Sequence, residues 1–243
     1  MIFGRDEPDP AASSRRILVF GDSLSWGWVP QATFIPAERF PAADRWPDVM
    51  AAALGPGFEV VVDAMPGRTT DAGDPLAPQL PGVGTNGLAA LPASLAAHLP
   101  LGLVVLMLGA NDLKPQFGRS ALRVALGAGR LIDTVQVSAN LFGTMWLTYP
   151  APAVLLIAPP PFGKLIRAAR RLYEGAEERG AGLAAAYAQV AAAAGCGFFD
   201  AGQVVRCDGV DGVHLTAAAQ RTLGRAIAER VREQLARAAG EGG

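Results

Sequence analysis

The chain has 243 residues, of which 51% are hydrophobic and 18% are charged. This length suffices for one large α/β domain with a sizeable core. Its 21 Lys and Arg residues nearly balance its 22 Asp and Glu residues, giving a formal net charge of -1. This balance argues against a nucleic-acid partner and against binding to an anionic membrane surface, because both attract strongly basic faces.

The ends of the chain and its apolar runs indicate where the domain lies. Residues 1–15 contain acidic residues where a secretory signal peptide has a basic start and an apolar core. We therefore predict a disordered or loosely packed tail over 1–15, a single domain over 16–239 and a cytoplasmic location. The apolar run 181–199 is rich in Ala and Gly and is interrupted by Gln189, so it falls short of a membrane span.

The two cysteines, Cys196 and Cys207, have no histidine neighbours with which to form a zinc site. We predict that both are reduced, structural thiols. We expect no metal and no organic cofactor.

Runs of branched apolar residues predict buried strands, and apolar spacing with capping residues predicts the helices between them. The predicted strands are 17–20, 58–64, 103–108, 154–158 and 198–200. The predicted helices are 46–54, 88–99, 120–139, 177–194 and 216–239. Because strands alternate with helices, we expect a parallel sheet with right-handed crossovers.

Two segments have no evident place in this scheme. Residues 71–87 are dense in Gly, Pro and Asp, and residues 162–174 mix aromatic and basic side chains. Long irregular segments inside a compact domain are usually functional. We expect neither to have a place in the core. Residues 71–87 are predicted to form a lid or a contact surface or to be disordered, and residues 162–174 are predicted to form a pocket wall or a subunit contact.

Ser23 is a candidate nucleophile because of its position. The apolar run 17–20 ends at Gly21, which places Ser23 at the carboxyl end of a strand, where open α/β sheets bind their ligands. A serine at a strand-to-helix turn can also be only a helix N-cap. Nucleophilic catalysis requires in addition a base, a group that orients the base and donors for an oxyanion.

The chain contains two histidines, His98 and His214, so the search for a base is short. His214 lies in a glycine-rich loop before the last predicted helix, three residues after Asp211 and six after Asp208. One turn of the chain would bring the Asp211 carboxylate against one ring nitrogen of His214 and leave the other nitrogen to face Ser23. Asp208 is a competing candidate for the carboxylate that orients the ring. Either aspartate could also be only a turn residue. His98 lies on a helix without a nearby acid, and we predict that it is structural.

Four short motifs occur in the order of the sequence blocks of SGNH (GDSL-type) hydrolases: Gly21-Asp22-Ser23, Gly67, Gly109-Ala110-Asn111-Asp112 and Asp211-Gly212-Val213-His214. The chain resembles this superfamily over residues 16 to 236. It is most similar to the bacterial arylesterase/acyltransferase branch, through Trp26-Gly27-Trp28-Val29-Pro30, Arg68-Thr69-Thr70 and Phe199-Asp200-Ala201-Gly202. The resemblance implies a flavodoxin-like, three-layer α/β/α sandwich with a five-stranded parallel sheet of order 2-1-3-4-5.

The same resemblance implies a serine esterase. It assigns Ser23 as the nucleophile, His214 as the base and Asp211 as the residue that orients the base. It assigns the oxyanion hole to the backbone amides of Ser23 and Gly67 and to the side-chain amide of Asn111. We predict that Asp22 is a structural acceptor that fixes the turn before Ser23.

Three aromatic residues, Trp26, Trp28 and Phe162, are candidates for substrate binding. Large aromatic side chains are more often core than pocket, but these lie near the nucleophile loop and the 162–174 segment. They favour a narrow apolar site for a small, acetyl-like acyl group. The expected partners are small ester substrates and alcohol or peroxide acceptors. The resemblance implies a homo-oligomer, with an octamer as the candidate assembly.

Alternatives remain open at this stage. A thioesterase, a lysophospholipase or a carbohydrate deacetylase would carry the same four motifs. A catalytically silent homologue or a flavodoxin-like binding module would have the same sheet. The binding module is disfavoured because Asp22, Trp26 and Trp28 are poor neighbours for a phosphate in the first loop.

Overall fold

A computed structural model describes residues 15–33, 36–77, 84–138 and 150–241. Its strands are β1 (Arg16–Gly21), β2 (Glu59–Ala64), β3 (Leu103–Met107), β4 (Ala153–Ala158) and β5 (Gly197–Asp200). They pair in parallel in the order β2-β1-β3-β4-β5. The predicted strand order is confirmed.

Helices connect the strands on both faces of the sheet. They are α1 (Ser23–Trp26), α2 (Trp46–Leu54), α3 (Gly87–His98), α4 (Ala121–Gln136), α5 (Arg167–Leu172), α6 (Ala176–Arg179), α7 (Leu183–Ala193) and α8 (Ala217–Glu241). The start and stop signals in the sequence explain several of the bounds. Helix α2 has Pro47 in its first turn and Gly55 just after its end, and the Ser120 side chain caps α4.

The strands are apolar on both faces because helices cover both. Successive side chains of a strand point to opposite faces. In β1, Leu18 and Phe20 pack in one buried cluster with α3, α4 and α7, while Ile17 and Val19 pack in a second cluster with α2 and α8. The result is the predicted three-layer α/β/α sandwich.

The prediction of one helix over 177–194 is wrong. The chain forms α6 and α7 there, separated at Gly180–Gly182. Gly182 has a φ of +80°, in the left-handed region that interrupts a right-handed helix and that glycine adopts at little cost. The apolar spacing continues across this break, which explains why the sequence pattern alone indicated one helix.

The expectation that segment 162–174 has no place in the core is also wrong, because part of it belongs to one of the two buried hydrophobic clusters. The described part of segment 71–87 is held by ion pairs, and its role stays a prediction. Arg119 donates to the carboxylates of both Asp71 and Asp112. Lys114 donates to the Asp74 carboxylate at 2.9 Å. The Asp71 and Asp74 side chains are 5% and 1% exposed, so these ion pairs anchor segment 71–87 to the loop after β3. Residues 78–83 lie outside the described part.

The 162–174 segment packs on the loop that carries His214. The Gly163 amide donates to the Gly212 carbonyl at 2.8 Å, and the Ile166 amide donates to the Asp211 carbonyl at 3.3 Å. A Cβ at Gly212 would collide with the Lys164 backbone, so this close approach requires glycine. The segment therefore supports the functional loop from one side.

The predicted tail and domain bounds stay predictions, since residues 1–14 lie outside the described part of the chain. Within the described ranges, no helix combines the length and the apolar character needed to cross a membrane.

Candidate active site

Ser23 lies just beyond the carboxyl end of β1, as the first residue of α1. The Asp22 carboxylate accepts a hydrogen bond from the Leu24 amide at 2.9 Å and so caps this short helix. This is the structural acceptor role predicted for Asp22. The cap fixes the turn in which the Ser23 hydroxyl is presented.

Ser23, His214 and Asp211 form one continuous chain of hydrogen bonds. The Nε2 atom of His214 lies 3.0 Å from the Ser23 Oγ atom, and its Nδ1 atom lies 2.8 Å from Oδ2 of Asp211. An ionised carboxylate can only accept, so Nδ1 carries a proton. In the neutral ring Nε2 is then an acceptor and faces the serine hydroxyl with a lone pair.

The environment of Asp211 keeps its carboxylate charged. Burial opposes the charged form, but hydrogen bonds and charge from His214 and hydrogen bonds from the amides of Val213 and His214 outweigh it, so the pKa of Asp211 lies below its ordinary value. Asp208, the competing candidate, instead accepts from the amide and the hydroxyl of Thr216 at the start of α8. The structure therefore places Asp211, and not Asp208, against the imidazole.

Trp28 covers the histidine. Its ring stacks on that of His214 with centroids 5.2 Å apart and an interplanar angle of 13°. Ser23 and His214 are 8% and 5% exposed. Both side chains are therefore almost enclosed by protein, and the Trp28 indole covers the imidazole.

The two backbone amides predicted for the oxyanion hole, those of Ser23 and Gly67, are available as donors. Among the described residues, the N–H groups of Ser23 and Gly67 donate to no protein acceptor. Gly67 has a φ of +83°, and the Arg68 amide donates to the Met65 carbonyl at 3.1 Å. Pro66 and Gly67 are thus the central residues of a type II turn, which favours glycine at the second of these positions.

Asn111, in the loop after β3, is the third predicted donor. Its Nδ2 atom donates to the Arg68 carbonyl at 3.1 Å and to Oδ2 of Asp22 at 3.3 Å. Both amide hydrogens are therefore engaged, and the longer bond to Asp22 is the weaker one. An oxyanion beside Ser23 would replace or share that bond.

Asp22 combines full burial with a position next to Ser23, the candidate nucleophile. Burial is the largest influence on its carboxyl and raises its pKa to about 7, with the charge of Asp112 acting in the same direction. The Leu24 amide and the charges of Arg68 and Lys114 act against this rise. The Asp22 side chain therefore changes charge near neutral pH.

The comparisons with known proteins agree with this geometry. The sequence profile of the GDSL-like lipase/acylhydrolase family matches residues 19–222. The chain belongs to this family. A search of curated proteins finds no match.

Solved structures of several esterases are similar to this chain. An M. smegmatis aryl esterase is 45% identical with a TM-score of 0.84, and the match covers 90% of this chain and 99% of that one. A carbohydrate acetylesterase from Sinorhizobium meliloti is 40% identical with a TM-score of 0.84 and the same coverage of both chains. The resemblance deduced from the four motifs is confirmed.

Three residues, Arg68, Gln220 and Tyr173, make contacts around the site that sequence reasoning missed. Arg68 donates to the Gly21 and Asp63 carbonyls, at 3.2 and 2.7 Å, and so ties β1 to β2 below the site. Gln220 donates to the Leu24 carbonyl at 3.0 Å, 196 residues away. The Tyr173 hydroxyl lies 3.0 Å from Oδ1 of Asn111. No local sequence pattern indicates the hydrogen bonds to Gly21, Leu24 and Asn111, whose partners lie 47 to 196 residues away in the chain.

The other predicted site residues have different surroundings. The Trp26 ring lies under the Arg39 guanidinium at 5.2 Å and 5.9 Å from the Trp28 ring. Phe162 packs against Tyr173 with ring centroids 4.8 Å apart and lines a cavity of about 390 Å³ that does not include Ser23 or His214. The substrate-binding roles of Trp26, Trp28 and Phe162 stay predictions.

His98 is the last residue of α3, and its carbonyl accepts from Arg16 at 3.4 Å. It is far in the fold from the carboxyl ends of the strands, because α3 leads into the start of β3.

Within the described ranges, no group of three or more His, Cys, Asp or Glu side chains could hold a metal ion. The two cysteines are both free thiols.

Proposed function

We propose that this acylhydrolase is a serine esterase that cleaves small, acetyl-like esters through an acyl-enzyme. The observation that carries the proposal is the hydrogen-bonded chain from Ser23 through His214 to Asp211. A serine becomes nucleophilic when a base takes its proton and a third group orients that base. Family membership and the esterases among the similar structures support the same reaction class.

The first half of the proposed reaction forms the acyl-enzyme. His214 Nε2 takes the proton of Ser23 while Oγ attacks the ester carbonyl carbon. The carbonyl oxygen then carries a negative charge, which the amides of Ser23, Gly67 and Asn111 stabilise. Asp211 stabilises the imidazolium, which gives its proton to the leaving alkoxide as the ester bond breaks.

The second half releases the acid. Water donates a proton to His214 Nε2 and attacks the acyl carbon, and the same donors hold the second oxyanion. The imidazolium then returns the proton to Ser23 Oγ as the acyl–oxygen bond breaks. An alcohol or a peroxide that replaces water would produce a transferred ester or a peracid, and this transfer is part of the proposal.

Preference for a small acyl group rests on the restricted access to Ser23. The serine is 8% exposed, and Trp28 packs over the imidazole beside it. A long acyl chain would have to displace these side chains, whereas an acetyl group needs little room. The carbohydrate acetylesterases among the similar structures are named for the removal of acetyl groups.

A series of p-nitrophenyl esters of increasing chain length tests the proposal. We expect kcat/KM to be highest for acetate and to fall as the chain lengthens. Ser23→Ala should abolish turnover, while Ser25→Ala is the matched control because the buried Ser25 hydroxyl has no partner among the described residues. An active Ser23→Ala protein would refute the serine mechanism, and a preference for long chains would refute the small acyl site.

The leaving group and the acceptor need separate measurements. Acetylated sugars, compared with phenyl acetate, distinguish a carbohydrate deacetylase from an aryl esterase, and both are compatible with the similar structures. Vinyl acetate with benzyl alcohol in water tests transfer through the yield of benzyl acetate. The proposal also includes the homo-oligomer that the resemblance implies, and light scattering tests it. If acetate is formed without benzyl acetate, the proposed acyl transfer is wrong. If light scattering gives the mass of a monomer, the proposed homo-oligomer is wrong.

A further inference from the structure

We propose that Tyr173 is a positioning residue for this reaction, which holds the Asn111 side-chain amide so that its N–H groups face the nucleophile loop. The inference rests on the proposed serine esterase function and assigns a role to the 162–174 segment. The observation behind it is the buried hydrogen bond of 3.0 Å between the Tyr173 hydroxyl and Oδ1 of Asn111.

The fold places the Tyr173 hydroxyl accurately. Tyr173 follows α5, and its amide donates to the Ala169 carbonyl at 2.9 Å. Its ring packs against Phe162, and Tyr173 is 6% exposed. Because both the backbone and the ring are fixed, the hydroxyl has little freedom to leave Asn111.

The contacts of Asn111 allow one orientation of its amide. The nitrogen faces the Arg68 carbonyl and the Asp22 carboxyl, and both of these groups offer acceptor oxygens. A flipped amide would set its own oxygen against those oxygens and would turn its NH₂ group toward Tyr173. On the other side of the amide, the Tyr173 hydroxyl donates a hydrogen bond to the Asn111 oxygen.

The hydrogen bond to Oδ1 serves catalysis in two ways. It fixes the rotation of the amide about its last side-chain bond, and it polarises the amide, so that the N–H groups become stronger donors. Donors that are aimed before reaction are the most effective in stabilising an oxyanion. Burial raises the pKa of Tyr173 well above its ordinary value, with Asp22 next in influence, so the hydroxyl keeps its proton at working pH.

The test is a double-mutant cycle between Tyr173→Phe and Asn111→Ala. Tyr173→Phe keeps the ring against Phe162 and removes only the hydroxyl. The matched control is Tyr187→Phe, because the Tyr187 hydroxyl is equally buried but donates to the backbone carbonyl of Leu108 at 2.9 Å. Each variant is measured for kcat and KM with p-nitrophenyl acetate and for unfolding in urea.

We expect Tyr173→Phe to lower kcat about tenfold with KM little changed, because the lost interaction acts in the transition state. In the Asn111→Ala background the same change should have no further effect on kcat. Tyr187→Phe should lose comparable stability while its kcat stays within about twofold of the wild type.

Three results would overturn the inference: an unchanged kcat in Tyr173→Phe, an equal loss of kcat with and without Asn111, or an equal loss of kcat in Tyr187→Phe. An inactive wild type, or an active Ser23→Ala protein, would instead contradict the proposed function itself. The two failures are therefore distinguishable.

Discussion

His214 and Ser23 are 191 residues apart in the chain, yet Nε2 of the imidazole lies 3.0 Å from the serine Oγ. Parallel strands bring this contact about, because all their carboxyl ends lie at one edge of the sheet. The loop after β1 carries Ser23, and the chain returns to the same edge after β5 with His214. The candidate site is thus a consequence of the parallel direction of the strands.

Asp211→Asn should lower kcat on the order of 10⁴-fold, as the equivalent change does in serine proteases, because an amide does not hold the imidazole in the required tautomer. The matched control is Asp208→Ala. It removes acceptors for Thr216 at the start of α8 and should cost about 1 kcal/mol of stability. Steady-state kinetics and urea unfolding measure both effects. If Asp208→Ala proves the more damaging to kcat, the assignment of Asp211 is wrong.

Asn111→Ala should lower kcat on the order of 10² to 10³-fold, or about 3 to 4 kcal/mol of transition-state stabilisation. KM should change little, because an oxyanion donor acts mainly after the substrate has bound. Kinetics with p-nitrophenyl acetate separate the two constants. A raised KM with an unchanged kcat would show that Asn111 binds the substrate in its ground state instead.

The buried Asp22 should make stability depend on pH. Its folded-state pKa of about 7 exceeds the ordinary unfolded value of about 3.9. The stabilising contribution of this group is therefore fully present below about pH 4 and is lost as the pH rises through about 7.

The Asp22→Asn variant isolates this effect, because it cannot titrate. Between about pH 5 and 6, the free energy of unfolding of the wild type should fall relative to the variant by roughly 1.4 kcal/mol per pH unit, and the fall should level off as the pH passes about 7. Urea unfolding at several pH values measures the difference. Parallel pH dependences of the two proteins would show that Asp22 has no raised pKa.

Local patterns predicted the sheet and the position of the nucleophile. Branched apolar runs that end at Gly21 and before Pro159 indicate the buried strands, because both faces of each strand are covered by helices. The placement of Asp211 depended on the resemblance to a family, since spacing alone left Asp208 as a rival. The structure distinguishes the two aspartates, because the Asp208 carboxylate accepts a hydrogen bond from the Thr216 amide, whereas the Asp211 carboxylate accepts one from the His214 ring.

Contacts between distant parts of the chain were beyond sequence reasoning. Tyr173 and Asn111 are 62 residues apart, and Gln220 and Leu24 are 196 residues apart. Such contacts depend on how the helix layers pack on the sheet. The periodic spacing of apolar residues within one segment gives no information about this packing. The same limit applies to the ion pairs of Asp71 and Asp74, whose residues read simply as part of a polar loop.

Covalent labelling of Ser23 tests the central claim most directly. The protein is treated with a fluorophosphonate, which reacts with activated serines, and the adduct is located by peptide mass spectrometry. We predict one adduct on the wild type, at Ser23, with loss of esterase activity in proportion to labelling. A folded Ser23→Ala protein should take up none. An adduct at another residue, or full activity in the Ser23→Ala protein, would contradict the account.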